Sequence, residues 1–424
     1  MVLDRSPPPG VRESWSGPRR ICRDVGPEPR RLRPVGVSRQ TGRSGASVWR
    51  VVEQGAGVAR LRIGFDWTPA VAPHPTGVGQ FVQGLAEALE ASTTLELVPF
   101  CVSGRAHRGA HGAAASAPVP AAVAHRLWQY LDRPRAERWT GAIDVLHATN
   151  FVAPPSRAPT VLSVYDLGFL HHPEWAGPGT SRFGRLIERA VQRGAVVHTL
   201  SSSVAAEIAA RFELPSERLV VIPPGVDPVA GDASRGHRLA GTNPYVLALG
   251  TIEPRKNLPR LVEAFDRVAA EVPELRLVVV GPDGWGLDAY DAAVRRARAA
   301  GRIVRLGYVT PGERADLTAG ATALAYPSLD EGFGLPPLEA MTLGVPVVAS
   351  DAAVLRDVLG DAALLVEPTD VGALGAALHQ VVTDDALRSR LAGAGPARAA
   401  AYPWSRAADS FRELYQRLAR PAPH

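Results

Sequence analysis

Two glutamates eight positions apart, Glu331 and Glu339, are the pair in this chain best placed to do chemistry. Between them lie Gly332, Phe333, Gly334 and Leu335, and then Pro336-Pro337, a dipeptide tolerated in the first turn of a helix. The spacing predicts Glu331 in a loop at a strand end and Glu339 inside the helix that follows. Carboxylates accept hydrogen bonds from paired hydroxyls, and the free N–H groups of a glycine turn at a helix start favour an anion. A ligand that is anionic or rich in hydroxyls fits such a set. A cation is available as well. Of 47 basic residues one alone is lysine, Lys256, in Glu253-Pro254-Arg255-Lys256-Asn257. A site that needs a compact ammonium beside an oxyanion resists replacement by a planar guanidinium. Two further candidates are the glycines Gly77 and Gly79, ahead of a helical pattern at Phe81, Leu85, Ala88 and Leu89, and His147, at the end of an apolar run.

The elements that must position these groups alternate regularly. Strand candidates are Leu61–Phe65, Leu95–Pro99, Ile143–His147, Thr160–Tyr165, Val196–Leu200 and Leu219–Ile222, with a helix over Ser203–Phe212. From Pro223 to Pro244 the chain is rich in Pro and Gly and shows no convincing element, which marks a linker. Beyond it the rhythm restarts: strands at Tyr245–Leu249, Leu275–Val280, Ile303–Leu306, Ala321–Tyr326, Pro346–Ala349 and Ala363–Val366, and helices over Leu258–Ala270, Asp288–Ala300 and Pro337–Leu343. The result is an α/β chain of two doubly wound, Rossmann-like domains, 59–228 and 241–402, facing a cleft at the carboxyl ends of their strands. Phe411, Leu414, Tyr415 and Leu418 predict a last helix over 403–420.

Composition narrows the classes. With 46% hydrophobic and 21% charged residues the chain reads as globular, and no apolar run is long enough to span a bilayer. Two cysteines exclude a disulfide scaffold and a four-cysteine zinc site, so a reducing, cytoplasmic setting is expected. Residues 1–60 hold twelve Arg against five acidic residues, while 61–424 sum to −2. The basic charge belongs to an Arg/Pro/Gly-rich tail, 1–58, expected to be disordered, and nucleic-acid binding by the body gains no support. No G-x-G-x-x-G, no Gly-Lys-Ser/Thr and no D-x-D is present, which argues against a dehydrogenase, a P-loop NTPase and a metal-dependent sugar transferase.

Glu331 to Glu339 resembles the E-x7-E motif of retaining glycosyltransferases of family 4, which have the GT-B fold, and Gly250-Thr-Ile-Glu-Pro-Arg-Lys-Asn-Leu258 resembles their diphosphate loop. The similarity extends over roughly 60–420 through Thr76-Gly-Val-Gly79, Asp144-Val-Leu-His147, Val164-Tyr-Asp166, Val221-Ile-Pro-Pro-Gly-Val-Asp227 and Gly307-Tyr-Val309. The resemblance implies that Arg255 and Lys256 hold the leaving diphosphate, that Glu339 binds the ribose and that Glu331 holds donor-sugar hydroxyls. It places His147 beside the donor sugar, with Gly77, Gly79, Val309, Gly332, Phe333, Gly334 and Leu335 at the donor and Tyr165 and Asp166 on the acceptor side. It implies retaining transfer of a hexose, with mannose a candidate, from a nucleotide diphosphate sugar acting as co-substrate to a glycan or lipid-linked acceptor. Neither metal nor other cofactor is expected, and the site of action would be cytoplasmic, with peripheral association at the inner membrane face. The competing readings are a nucleotide-sugar epimerase or hydrolase of the same fold and a silent two-domain binder.

Overall fold

The computed structural model describes residues 35–41, 47–53, 60–71, 77–102, 115–116, 120–177 and 180–420. Two parallel sheets carry the molecule. The N-terminal sheet runs in the order Ala115–Ser116, Leu95–Cys101, Leu61–Asp66, Val145–Ala148, Thr160–Ser163, Val196–Thr199 and Leu219–Val221. The C-terminal sheet runs Ile303–Gly307, Arg276–Val280, Tyr245–Leu249, Ala323–Tyr326, Val347–Ser350 and Leu364–Val366. Strands covered on both faces read as continuous apolar runs, and Tyr245-Val-Leu-Ala-Leu249 is buried throughout. In each sheet the order reverses beside the first strand, so the crevice opens at the carboxyl ends of Leu61–Asp66 and Tyr245–Leu249.

Three segments depart from the sequence expectations. The stretch between the sheets contains a helix, Ala233–Ala240, whose N-cap Asp232 accepts from the N–H groups of Ser234 and Arg235. It packs on the helix Pro311–Ala319, with Gly236 so close that a Cβ there would lie 2.0 Å from the Asp316 carbonyl oxygen. Its short, Arg-rich sequence hid it, because the N-cap and this packing carry it more than an apolar stripe does. Within 1–58, Val35–Thr41 and Ser47–Glu53 pair antiparallel, which corrects the expectation of disorder for those residues; their recurring valines favour strands. The rest of that tail lies outside the described residues. Gly77 and Gly79, expected in a loop, already belong to the helix Gly77–Glu90; Thr76 lies outside the described residues.

The helix Trp404–Ala419 packs against the N-terminal sheet and the helix Gly77–Glu90. Its Phe411 and Tyr415 are wholly buried. Among the described residues no helix is long and apolar enough to cross a membrane.

Candidate active site

The loop after Tyr245–Leu249 supplies the cations. It leaves the strand at Gly250, makes a short turn over Pro254–Lys256, and enters the helix Leu258–Glu271 through Asn257, which adopts the left-handed region at φ 57°. Buried Asn257 holds this turn in place by donating from Nδ2 to the carbonyls of Pro327, 3.0 Å, and Pro368, 2.7 Å. The loop after Ala323–Tyr326 supplies the first glutamate. Leu329 N–H donates to the Arg255 carbonyl at 2.8 Å, so the two loops are laced together before any side chain meets.

Lys256 Nζ donates to Glu331 Oε1 at 2.6 Å and to the Tyr326 hydroxyl at 2.9 Å, and lies 4.7 Å from the centre of the Tyr326 ring. Arg255 Nη1 donates to Glu331 Oε2 and to the Asp330 carbonyl, each at 3.0 Å, while its Nε and Nη2 reach Glu253 Oε1 at 3.2 and 2.9 Å. Burial alone would raise the Glu331 carboxyl, but the two cations overcome it and hold it down at about 2. Burial draws the Lys256 ammonium below its usual range against the pull of Glu331. Asp166 and Asp330 are raised by burial, with Arg255 opposing.

Arg255 and Lys256, expected together at the diphosphate, are held differently in the structure. A guanidinium has five N–H donors, and Arg255 has committed four of them to Glu253, Asp330 and Glu331. It fastens three loop residues. Lys256 keeps one of its three protons uncommitted and sits closest to Gly250, whose added Cβ would come within 3.2 Å of Lys256 Cε.

Glu339 lies in the helix Leu335–Thr342, where its Oε1 accepts from Arg314 Nη2 at 3.1 Å; burial raises its carboxyl, with Arg314 opposing. Gly334 caps that helix at φ 100°, a conformation that favours glycine. Gly332 meets the other domain, for a Cβ there would stand 2.3 Å from the Tyr165 carbonyl oxygen. Phe333 is buried with its ring edge-on to Tyr402, 5.3 Å between centres, so it offers a ligand backbone only. Leu335 and Val309 are half-buried and packed against the core.

His147 is corrected. It is wholly buried and stacks on Phe411 at 5.1 Å, and both ring nitrogens are engaged: Nδ1 with Tyr415 Oη at 2.7 Å, Nε2 with Ser163 Oγ at 2.9 Å. Ser163 Oγ in turn meets His198 Nδ1 at 2.9 Å, and His198 Nε2 meets the Ile222 carbonyl at 3.0 Å. A carbonyl only accepts, so His198 Nε2 carries the proton and its Nδ1 accepts from Ser163. Ser163 then accepts from His147 Nε2–H, and Tyr415 donates to His147 Nδ1. Every proton in this line is assigned, and none faces the cleft. The ring points inward because the face of Val145–Ala148 on which it stands is the one covered by the C-terminal helix. Tyr165 is corrected too: its hydroxyl donates to the Thr149 carbonyl within the core. Asp166, in contrast, borders the interdomain cavity together with Arg255 and Glu253.

Glu253, Tyr326, Arg314 and Trp285 also belong to this neighbourhood and were not singled out from the sequence. A residue at the tip of a strand or in a glycine-flanked loop, as Tyr326 and Trp285 are, is the signal that could have found them. A larger cavity of about 730 Å³ lies near Pro244, Ala321 and Pro346, at the opposite, amino ends of the C-terminal strands.

Two facing Rossmann-like domains with charged loops at the crevice define a GT-B protein. Solved structures agree: a sucrose-phosphate synthase from Thermosynechococcus elongatus matches with TM-score 0.68 at 19% identity, covering 85% of this chain and 99% of that one. WaaG, a glycosyltransferase involved in lipopolysaccharide biosynthesis, matches with TM-score 0.65 at 16% identity, covering 84% and 99%. By sequence, residues 75–229 match Glycosyltransferase Family 4 and residues 231–398 match Glycosyl transferases group 1. O-antigen chain mannosyltransferase B of Escherichia coli is 31% identical over 284 residues, 65% of this chain and 74% of that protein. A D-inositol 3-phosphate glycosyltransferase of Stackebrandtia nassauensis is 30% identical over 310 residues, 67% and 70%. The chain belongs to the family 4, group 1 glycosyltransferases, enzymes that move a sugar from a nucleotide sugar to an acceptor.

Proposed function

We propose that this enzyme transfers a hexose with retention from a nucleotide diphosphate sugar to a glycan or lipid-linked acceptor, without a metal. The observation that carries the reading is the seat of Lys256, the chain's one lysine, between Glu331, Tyr326 and Gly250 at the head of the helix Leu258–Glu271. When the bond from the anomeric carbon to the diphosphate oxygen breaks, charge gathers on that oxygen, and a preorganised ammonium beside a helix N-terminus stabilises it. The acceptor hydroxyl oxygen bonds to the anomeric carbon on the same face, and its proton passes to a diphosphate oxygen. Glu331 receives donor-sugar hydroxyls, and Glu339, steadied by Arg314, receives those of the ribose. Mannose is favoured as the sugar by the O-antigen mannosyltransferase relative. Proton NMR of the new linkage after incubation with GDP-mannose and other nucleotide sugars tests this. An anomeric configuration opposite to the donor's would refute it.

A separate observation supports peripheral membrane association at the inner face. Val123, Tyr130 and Leu131 are exposed large apolar residues in one short stretch of the N-terminal domain, and the Arg185 guanidinium lies 5.4 Å from the Tyr130 ring centre. Residues 121–138 and 182–193 carry eight arginines against Asp132, Glu137 and Glu188, on a body whose net charge is negative. The partner this suits is a bilayer of anionic lipid, worth about 1 kcal/mol per arginine near its surface. Cosedimentation with phosphatidylglycerol vesicles and not with phosphatidylcholine is expected; equal binding to both would refute it.

A further inference from the structure

Three walls confine Lys256. Its stem runs along Gly250, where an added Cβ would lie 3.2 Å from Lys256 Cε, 3.6 Å from Cδ and 3.8 Å from Cγ. Glu331 Oε1 meets the ammonium at 2.6 Å on a second side. The third wall is Tyr326, whose hydroxyl accepts from Nζ at 2.9 Å and whose ring centre lies 4.7 Å from it. The transfer step described above gives this tyrosine a place beside the lysine but no part in the chemistry.

Tyr326 stands on a fixed element. It is the last residue of the strand Ala323–Tyr326, paired with Ala349 of the neighbouring strand, and only 3% exposed. Two bonds lace its strand end to the turn of the lysine. Asn257, next to Lys256, donates from Nδ2 to the carbonyl of Pro327, next to Tyr326, at 3.0 Å, and Leu329 N–H reaches the Arg255 carbonyl at 2.8 Å. Glu331 lies further on, in the loop that leaves this strand, where nothing fixes it in a sheet. The two acceptors of the ammonium therefore differ in stiffness. They differ in charge as well. Burial, and then the Glu331 carboxylate, push the Tyr326 phenol well above its usual range against the pull of Arg255, so the hydroxyl stays neutral. It neither gives a proton to a leaving group nor adds a negative charge that would compete with a diphosphate.

An ammonium carries three N–H donors at tetrahedral angles. With one on Glu331 and one on Tyr326, the direction of the third is set. A diphosphate oxygen that takes the third proton draws the charge toward itself, and of the two older partners the loop carboxylate can give way while the strand hydroxyl stays. We propose that Tyr326 is a positioning residue of the transfer step: its hydroxyl is the pivot on which Lys256 turns from Glu331 toward the leaving diphosphate oxygen, keeping the third N–H aimed as the bond breaks. The inference rests on the transfer reading above and adds to it the group through which the lysine is aimed. No covalent bond changes at Tyr326, which acts through Lys256 alone.

The test uses Tyr326→Phe in the full chain. It removes one oxygen and keeps the ring, so the core and the aromatic face beside the ammonium survive and the variant is expected to fold. Because the chain has a single lysine, isotopically labelled lysine gives one side-chain signal, and its pH titration by NMR reads Lys256 directly. The charges that face the ammonium, Glu331, Arg255 and Glu253, are the same in the variant. Losing an acceptor of its N–H disfavours the charged form, so the midpoint should move down by roughly one pH unit. With a turned-over nucleotide sugar, kcat should fall roughly 10- to 100-fold while donor KM stays within about threefold, because aim is lost and ground-state binding is not. Once Lys256→Ala has removed the ammonium, adding Tyr326→Phe should cost less than about twofold more. A midpoint that does not move, or losses that multiply in the double variant, would make Tyr326 a packing residue and overturn the pivot. A rise in donor KM at unchanged kcat would make it a donor ligand and overturn it as well. Failure of the wild-type enzyme to turn over any nucleotide sugar would strike the transfer reading instead, and the lysine titration would still judge whether Tyr326 holds the ammonium.

Discussion

Replacing Arg255 and Lys256 separately should produce two different failures, although the residues are adjacent and share Glu331. In the proposed transfer Lys256→Ala removes one charge-assisted contact to the departing diphosphate, about 1.5–3 kcal/mol, and so should lower kcat/KM roughly 10- to 150-fold. The ammonium is enclosed by Glu331, Tyr326 and Gly250, so the larger guanidinium of Lys256→Arg should restore only part of that. Arg255→Ala removes four donated hydrogen bonds and leaves Glu253 and Glu331 facing each other without the cation between them. Breaking a buried ion pair from one side costs about 3–5 kcal/mol. For a domain of this size each kcal/mol moves Tm by about 2–4 °C, so a fall of roughly 6–20 °C is expected. Differential scanning fluorimetry beside initial rates with a turned-over nucleotide sugar separates the two. The reasoning is refuted if Arg255→Ala keeps the wild-type Tm and loses kcat/KM as Lys256→Ala does, for then Arg255 is a diphosphate ligand and no fastener.

Glu339→Gln should weaken nucleoside diphosphate binding about 10- to 150-fold by calorimetry, because the carboxylate that Arg314 steadies can no longer accept both ribose hydroxyls with charge; unaltered affinity would remove the ribose assignment. Tyr415→Phe should cost roughly 1–3 kcal/mol of stability by stranding His147 Nδ1, with kcat changed little, since the histidine does not reach the cleft. Burial lowers His198 to about 4 and His147 in the same direction. Both stay neutral when folded while the unfolded chain protonates near 6.5, so the stability they contribute is full above about pH 6.5 and is lost as pH falls toward 4. For His198 alone this amounts to roughly 3 kcal/mol. Asp66, raised to about 6 by burial, acts in the opposite sense between about pH 4 and 6, and the raised carboxyls of Asp166, Asp330 and Glu339 act with it. Between about pH 7.5 and 5 the urea midpoint of His198→Gln should therefore lose less, or gain more, than that of the wild type; parallel profiles would contradict the proton assignments.

The sheets were legible because buried parallel strands write themselves as β-branched runs; Tyr245–Leu249 needs no tertiary knowledge to be found. The helix Ala233–Ala240 was not, because what holds it is Asp232 at its cap and the close seat of Gly236 on the neighbouring helix, contacts that no local periodicity encodes. Within the site, the residues found were those that a motif spaces along the chain, as Glu331 and Glu339 are. Trp285, Glu253 and Arg314 meet their partners only after two loops or two helices have been brought side by side. His147 failed for a sharper reason. A histidine at a strand end can point to either face, and the choice was made by Phe411 and Tyr415, more than 260 positions later in the chain, which cover one face and turn the ring into core.

The chemistry then rests on how Glu331 is spent. Its two oxygens accept from two different cations, 2.6 Å from Lys256 Nζ and 3.0 Å from Arg255 Nη1, so one carboxylate neutralises both charges while setting their separation. In the proposed transfer, a phosphate oxygen arriving at Lys256 takes the ammonium's third proton and draws the charge away from Glu331, and whatever hydrogen bond Glu331 yields there it can take from a sugar hydroxyl. Binding thus exchanges one charge-assisted pair for another, with little net desolvation of the lysine, which is already buried. Arg255 does not take part in the exchange because Glu253 and the Asp330 carbonyl hold it from the other side. That asymmetry keeps the site assembled while Lys256 changes partner. The proposed role also gives a reason for lysine here in a chain that uses arginine at its other basic positions: a point charge can pass between a carboxylate and a phosphate by rotating one terminal group, whereas a fork bound at both tines cannot.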